Sequence, residues 1–169
     1  MRASLRAAAP ADARGIAEVH VGSWRWAYRG QVPDPFLEAL SVDERETQWW
    51  LATRERPGDT VVAELDGAIV GFVSVGPAQG ASLPTGAGEL FAIYIAAPVA
   101  GTGVGASLLA AGVERLRGAG FDQAILWVLA ANDRARAFYE GAGWALDGTR
   151  AEHAFGDERR EVVRYARAL

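Results

Sequence analysis

Three features of this 169-residue chain predict an α/β (α+β) fold, a mixed, mostly antiparallel central sheet with helices on both faces. A strand, a glycine-rich turn and a helix follow one another between Glu89 and Arg117, the kind of unit that carries a chain from one strand to a parallel neighbour. Thr60 to Val75 and Ala145 to Ala168 each divide into two strands around a tight turn, and hairpins pair antiparallel. The helical segments nearer the N-terminus each carry one apolar side, which a sheet would cover.

In chain order, Ser4 to Ala8 reads as a short strand. Pro10-Ala11-Asp12 opens a helix, with the Asp12 carboxylate at its positive end, and Ile16, Ala17, His20, Val21 and Trp24 form its inward side. Trp24-Arg25-Trp26-Ala27-Tyr28-Arg29-Gly30 closes that segment on a glycine stop. Pro33 to Leu40 is a short helical turn. Ser41-Val42-Asp43-Glu44 has capping-box form and opens a helix through Trp49, Trp50 and Leu51 to about Arg54. Pro57-Gly58-Asp59 breaks it. Thr60 to Leu65 and Ala68 to Val75 flank an Asp66-Gly67 turn, the clearest hairpin in the chain.

Gly76 to Gly88 reads as a loop. Leu90 to Ile95 is apolar at nearly every position, which predicts a strand buried on both faces, and Pro98 ends it. After Gly101-Thr102-Gly103-Val104-Gly105, helical spacing of Leu108, Leu109, Val113 and Leu116 predicts a helix over Ala106 to Arg117. Gln123 to Leu129 is a strand, Asn132 opens a further helix, and a Gly156-Asp157 turn joins the last two strands.

Composition narrows the function. The length suits one domain spanning residues 1–169. A net charge of −4 argues against nucleic acid as a partner. The absence of cysteine removes disulfides and thiolate metal sites, and two separated histidines, His20 and His153, predict no metal. No membrane-length apolar run or signal-peptide core is present, so no membrane partner and a cytoplasmic location are expected. All 17 basic residues are arginine. Without lysine the glycine turn is not a Walker loop, and no acidic residue stands where a dinucleotide fold needs one.

The run Ala100-Gly101-Thr102-Gly103-Val104-Gly105 resembles the pyrophosphate loop of the GNAT (GCN5-related) N-acetyltransferases. Further along, Asn132-Asp133-Arg134-Ala135-Arg136-Ala137-Phe138-Tyr139-Glu140-Gly141-Ala142-Gly143-Trp144 is similar to that family's second block, with an Asn opening the helix and a Tyr near its end. Ala100 departs from the Arg or Gln that the family prefers there, which removes a side-chain contact but leaves the backbone donors. The resemblance implies the GNAT-like acyl-CoA N-acyltransferase fold. It also implies an enzyme that moves an acetyl group from acetyl-CoA, as co-substrate, directly onto a primary amine of a small molecule or protein N-terminus. A catalytically silent acyl-CoA-binding sensor of the same fold is the alternative. A homodimer stands among the expected assemblies.

That chemistry makes three demands. The diphosphate must be held, and Gly101, Thr102, Gly103, Val104, Gly105 and Ala106 offer backbone N–H groups at a helix N-terminus. The resemblance adds Ile93 and Ile95 along the cofactor arm and Asn132 as a contact to it. The departing thiolate must gain a proton, and Tyr139 is the expected donor, since a phenol keeps its proton to about pH 10. The amine must lose one. An alkyl amine of pKa about 10.4 holds its proton at pH 7 by about 4.6 kcal/mol. Glu89 is the expected base, at the spacing from position 100 where the histone-acetylating branch carries its glutamate. The family's acceptor side falls in the aromatic-rich first helices, where Trp26, Tyr28 and Arg29 are the expected acceptor contacts. Trp24 and Trp49 read as core.

Overall fold

The computed structural model describes residues 3–80 and 82–169. Seven strands form one sheet in the order β1-β2-β3-β4-β5-β7-β6, with β1 at Ser4–Ala7, β2 at Thr60–Leu65, β3 at Ala68–Pro77, β4 at Ala87–Ile95, β5 at Gln123–Leu129, β6 at Ala145–Phe155 and β7 at Glu158–Ala168. Every neighbouring pair is antiparallel except β4 and β5. The helices are α1 (Ala13–Ala27), α2 (Asp34–Glu38), α3 (Val42–Glu55), α4 (Val104–Gly118) and α5 (Asp133–Gly141).

Local chemistry explains most boundaries. Asp66 and Gly67 both take positive φ (52° and 80°), the turn whose twist matches the flanking strands, so β2 and β3 pair directly. Ser41 Oγ accepts from Glu44 N–H at 3.2 Å, which forms one half of the expected capping box and starts α3. Two boundaries that bear on the site differ from the sequence reading. The loop after β3 is shorter, because β3 runs to Pro77 and β4 already starts at Ala87, closed by Ala78 N–H to the Ala87 carbonyl at 3.1 Å. Helix α4 starts earlier than Ala106, at Val104, because Gly103 at φ 92° serves as its N-cap.

The two sheet faces carry separate cores. On one face α4 and α5 cover Val73, Val75, Leu90, Leu126, Val128, Val163 and Tyr165 with Leu108, Val113, Leu116 and Tyr139. Close approach is needed there: a Cβ on Gly88 would stand 2.6 Å from Leu116 Cδ2. On the other face α1 and α3 press Ile16, Val19 and Trp49 onto Val62, Phe72, Ala92 and Tyr94. Beside them, α2 and the C-terminal hairpin share a third cluster around Val32, Leu37, Leu129 and Phe155.

The feature that positions the site is a break in the sheet. Strands β4 and β5 pair only at Ala87–Gln123, Gly88–Ala124 and Glu89–Ile125, although β4 continues to Ile95 and β5 to Leu129. Beyond Glu89 the two strands diverge and leave a notch. A bulge helps to turn β4 away: Ser74 pairs with Ala92 and Val75 with Leu90, so Phe91 has no partner on β3.

Candidate active site

The wall of the notch is backbone. Past Glu89, the edges of β4 and β5 that face each other have no ladder partner, so their N–H and C=O groups are free for an extended, amide-bearing ligand. Ile93 and Ile95 lie on this open half of β4, half-buried against the α4–α5 core.

At one end of the notch stands the N-terminus of α4. The first helical bond runs from Ser107 N–H to the Gly103 carbonyl at 3.1 Å, so the N–H groups of Val104, Gly105 and Ala106 have no partner within the helix. Gly101 (φ 79°) and Gly103 (φ 92°) are left-handed, a conformation that glycine takes without strain. The Thr102 hydroxyl turns back onto the Val99 carbonyl at 2.7 Å and tightens the loop. Free donors and a positive helix end suit an anionic oxygen.

Across the notch, Asn132 caps α5: its Oδ1 accepts from Ala135 N–H at 3.1 Å. The cap is worth about 1 kcal/mol. Tyr139, in the last turns of α5, is buried at 8% exposure among Ile93, Ile95 and the rest of the α4–α5 core. Burial, and then the nearby Tyr94, raise its pKa well above the ordinary tyrosine value. The phenol is therefore a protonated donor at all working pH.

Glu89 sits at the last paired position of β4, where the strands part, and is 8% exposed. Its Oε2 accepts from Gln79 N–H at 3.0 Å. Burial raises its pKa, while that hydrogen bond and the charge of Arg164 oppose the rise. Arg164 belongs to a chain of contacts that composition and motif spacing did not single out. It donates from Nε to Asp147 Oδ2 at 2.5 Å and from Nη1 to the Ser82 carbonyl at 3.2 Å, and its guanidinium lies 5.6 Å from the centre of the Trp127 ring. Glu89 and Arg164 thus grip the same loop, one at Gln79 and the other at Ser82. The available signal was a lone arginine within the otherwise uncharged run Val162-Val163-Arg164-Tyr165-Ala166 of β7.

The face opposite α4 is aromatic. The Tyr28 and Tyr94 hydroxyls lie 3.4 Å apart. Tyr94 stacks on His20 at 5.2 Å, and Trp24 meets Tyr28 edge-on at 5.0 Å. His20 Nδ1 accepts from Trp49 Nε1–H at 3.1 Å, and burial lowers its pKa to about 4, so the ring is neutral with its proton on Nε2. Tyr94 thus packs with the α1–α3 core, while Tyr139 belongs to the α4–α5 core on the other face of the sheet. Trp24 and Trp49 pack as the sequence suggested, although the buried Trp24 Nε1 has no hydrogen-bond partner among the described residues. Trp26 is 40% exposed and lies under the guanidinium of Arg134. Arg29 lines a surface recess of about 360 Å³ with Arg25, Asp34, Leu37 and Glu38, which includes neither Glu89 nor Tyr139. Among the described residues no group of His, Asp and Glu has the makings of a metal site, and no helix is long and apolar enough to cross a membrane.

A mixed sheet opened between its one parallel pair, over a glycine-capped helix end, is the architecture of an acyl-CoA-dependent acyltransferase. Residues 21–144 match the acetyltransferase (GNAT) family, and the chain belongs to it. An uncharacterized N-acetyltransferase of Bacillus subtilis, YuaI, is 36% identical over 129 residues, which cover 76% of this chain and 73% of that protein. Among solved structures, the putative acetyltransferase YncA of Salmonella typhimurium with its cofactor acetyl-CoA superposes with a TM-score of 0.76 at 16% identity, over 100% of this chain and 95% of that one. The PaiA N-acetyltransferase of Thermoplasma acidophilum, in complex with coenzyme A, gives 0.74 at 19% identity, over 97% and 98%. At these identities the two structures establish the fold.

Proposed function

We propose that the protein transfers an acetyl group from acetyl-CoA directly to a primary amine, carried by a small molecule or a protein N-terminus. The observation that carries this reading is the parting of β4 and β5 at Glu89, which supports roles for Tyr139, in the core on one face of the sheet, and for Glu89 and Tyr28. The free backbone edges suit the two amides of the pantetheine arm, with Ile93 and Ile95 along it. Gly101 to Ala106 suit the diphosphate, and the amide nitrogen of Asn132 is left for the arm by a cap that uses only its oxygen.

In this reading the amine nitrogen attacks the thioester carbonyl, and its proton passes to Glu89. The C–S bond then breaks, and Tyr139 stabilises the departing CoA thiolate by a hydrogen bond from its hydroxyl, with proton transfer completed as charge develops. Burial raises the pKa of both groups, which makes the carboxylate a better base and keeps the phenol protonated as a hydrogen-bond donor to the thiolate. Tyr28 is the best placed of the acceptor residues. Arg29 borders the recess beside α2, and Trp26 leans onto Arg134.

A panel of amines incubated with acetyl-CoA, with free thiol as the readout, tests the proposal. Amine-dependent thiol release is expected. Tight acetyl-CoA binding without release across aliphatic, aromatic and peptide amines would leave a sensor of the same fold in its place.

A further inference from the structure

We propose that Trp26 and Arg134 form a clasp across the mouth of the notch, which closes over the pantetheine arm and slows the release of acetyl-CoA. The proposal rests on the acetyl-CoA reading above.

Helices α1 and α5 serve opposite faces of the sheet, α1 through Ile16 and Val19 and α5 through Tyr139. Elements so divided touch where the sheet between them is open or past the ends of its strands. The C-terminal end of α1 is placed at that opening by the Tyr28–Tyr94 hydroxyl contact and by its approach to the turn Ala97–Val99 that follows β4. Arg134 lies in the first turn of α5, just beyond the end of β5. Its guanidinium carbon stands 4.6 Å from the centre of the Trp26 ring. The pair therefore spans the gap between the ends of the two parted strands.

Two neighbouring contacts show that this one is not incidental to helix geometry. Arg54 over Trp50, at 5.0 Å, is a pair on one helix at i, i+4, which helical spacing brings together by itself. Arg136, two residues along from Arg134, is pinned to the Tyr165 hydroxyl and the Ala130 carbonyl. Arg134 has Trp26 as its partner among the described residues, from a distant part of the chain, and Trp26 is exposed enough to swing aside. A guanidinium stacked by its face keeps its edge N–H groups for an oxygen acceptor. A carbonyl or diphosphate oxygen of the ligand beneath the clasp supplies one, so the bound arm strengthens the contact that encloses it.

Stopped-flow displacement of acetyl-CoA from wild type, Trp26→Leu, Arg134→Gln and the double variant tests the clasp. Each single change is expected to speed dissociation about tenfold. The double variant should release no faster than either single one, since an opened clasp cannot open again. Trp26→Phe, which keeps a ring, should recover much of the loss, and Trp50→Leu should leave the rate at the wild-type value. Wild-type release from Trp26→Leu and Arg134→Gln, or effects that multiply in the double variant, would overturn the clasp alone. Absence of acetyl-CoA binding by the wild-type protein would overturn the underlying reading and the clasp with it.

Discussion

The two faces of the sheet are built in different ways. On the α4–α5 side, the groups that suit the cofactor come from two short continuous stretches, 101–106 and 132–139, and several of them act through backbone N–H groups. On the α1–α2–α3 side, Tyr28, Glu89, Tyr94, Asp147 and Arg164 come from four segments and present side chains. A diphosphate needs little more than a helix end and room, which local sequence supplies. Recognition of an acceptor needs shape and charge, which only distant side chains brought together can supply. Variants on the two faces should therefore fail differently, the one in cofactor binding and the other in turnover.

The largest effect is expected on the acceptor face. Glu89→Gln keeps the hydrogen bond to Gln79 N–H but cannot take a proton, so kcat should fall by roughly 10²–10⁴ near neutral pH. The deficit should shrink as pH approaches the acceptor's own pKa, where free amine needs no base. Parallel pH–rate profiles for wild type and variant would exclude Glu89 as the base.

The same face should carry an acid-sensitive core. Burial moves His20 from its usual pKa of 6.5 down to about 4. Between those values the unfolded chain binds a proton that the folded chain does not. His20's contribution to stability is therefore complete above about pH 6.5 and is lost as pH falls through 4, by about 3 kcal/mol in all. Urea denaturation at pH 7 and pH 4.5 should show much of that slope in wild type. His20→Gln, whose amide oxygen still accepts from Trp49 Nε1–H, should flatten it.

Tyr139→Phe lies between the two behaviours. It removes the donor for the thiolate and leaves the packing, so kcat should drop by about 10²-fold while acetyl-CoA affinity, measured by calorimetry, stays within about twofold. Wild-type kcat in this variant would leave Tyr139 a packing role only.

The smallest effect belongs to the cofactor face. Gly103→Asp forces a side chain onto a residue at φ 92° and sets a negative charge at the positive end of α4. Acetyl-CoA affinity should weaken about tenfold or more. Calorimetric titration checks this, and kcat at saturating cofactor should be nearly preserved, the reverse of the Glu89→Gln result.

Much was legible beforehand because it is local. Gly101 and Gly103 announce left-handed turns, Asp66-Gly67 announces a hairpin, and Asn132 announces a helix start. Each depends on the conformational preference of a residue and its near neighbours. The elements appeared in the expected order for the same reason, with shifts of a few residues where Ala87 extends β4 and Val104 advances α4.

Only the tertiary structure decided where β4 leaves β5, and no residue pattern marks that point. Leu90 to Ile95 reads as a central strand buried on both faces, yet it is paired on one side alone, because pairing depends on what the partner strand and the Phe91 bulge allow. Insertion of β7 between β5 and β6 is likewise invisible locally, and it brings Arg164 within electrostatic reach of Glu89 and places it against Ser82. Asp147 meets Arg164 from a bulge in β6, where Gly148 stands at φ 88° and Thr149 N–H closes onto the Asp147 carboxylate. The chain's own residues dictate its turns, caps and apolar faces through short-range sterics and hydrogen bonds. The notch, the buried carboxylate and the meeting of Tyr28 with Tyr94 arise from contacts between distant segments, whose geometry is settled only when the two cores pack on opposite sides of one sheet.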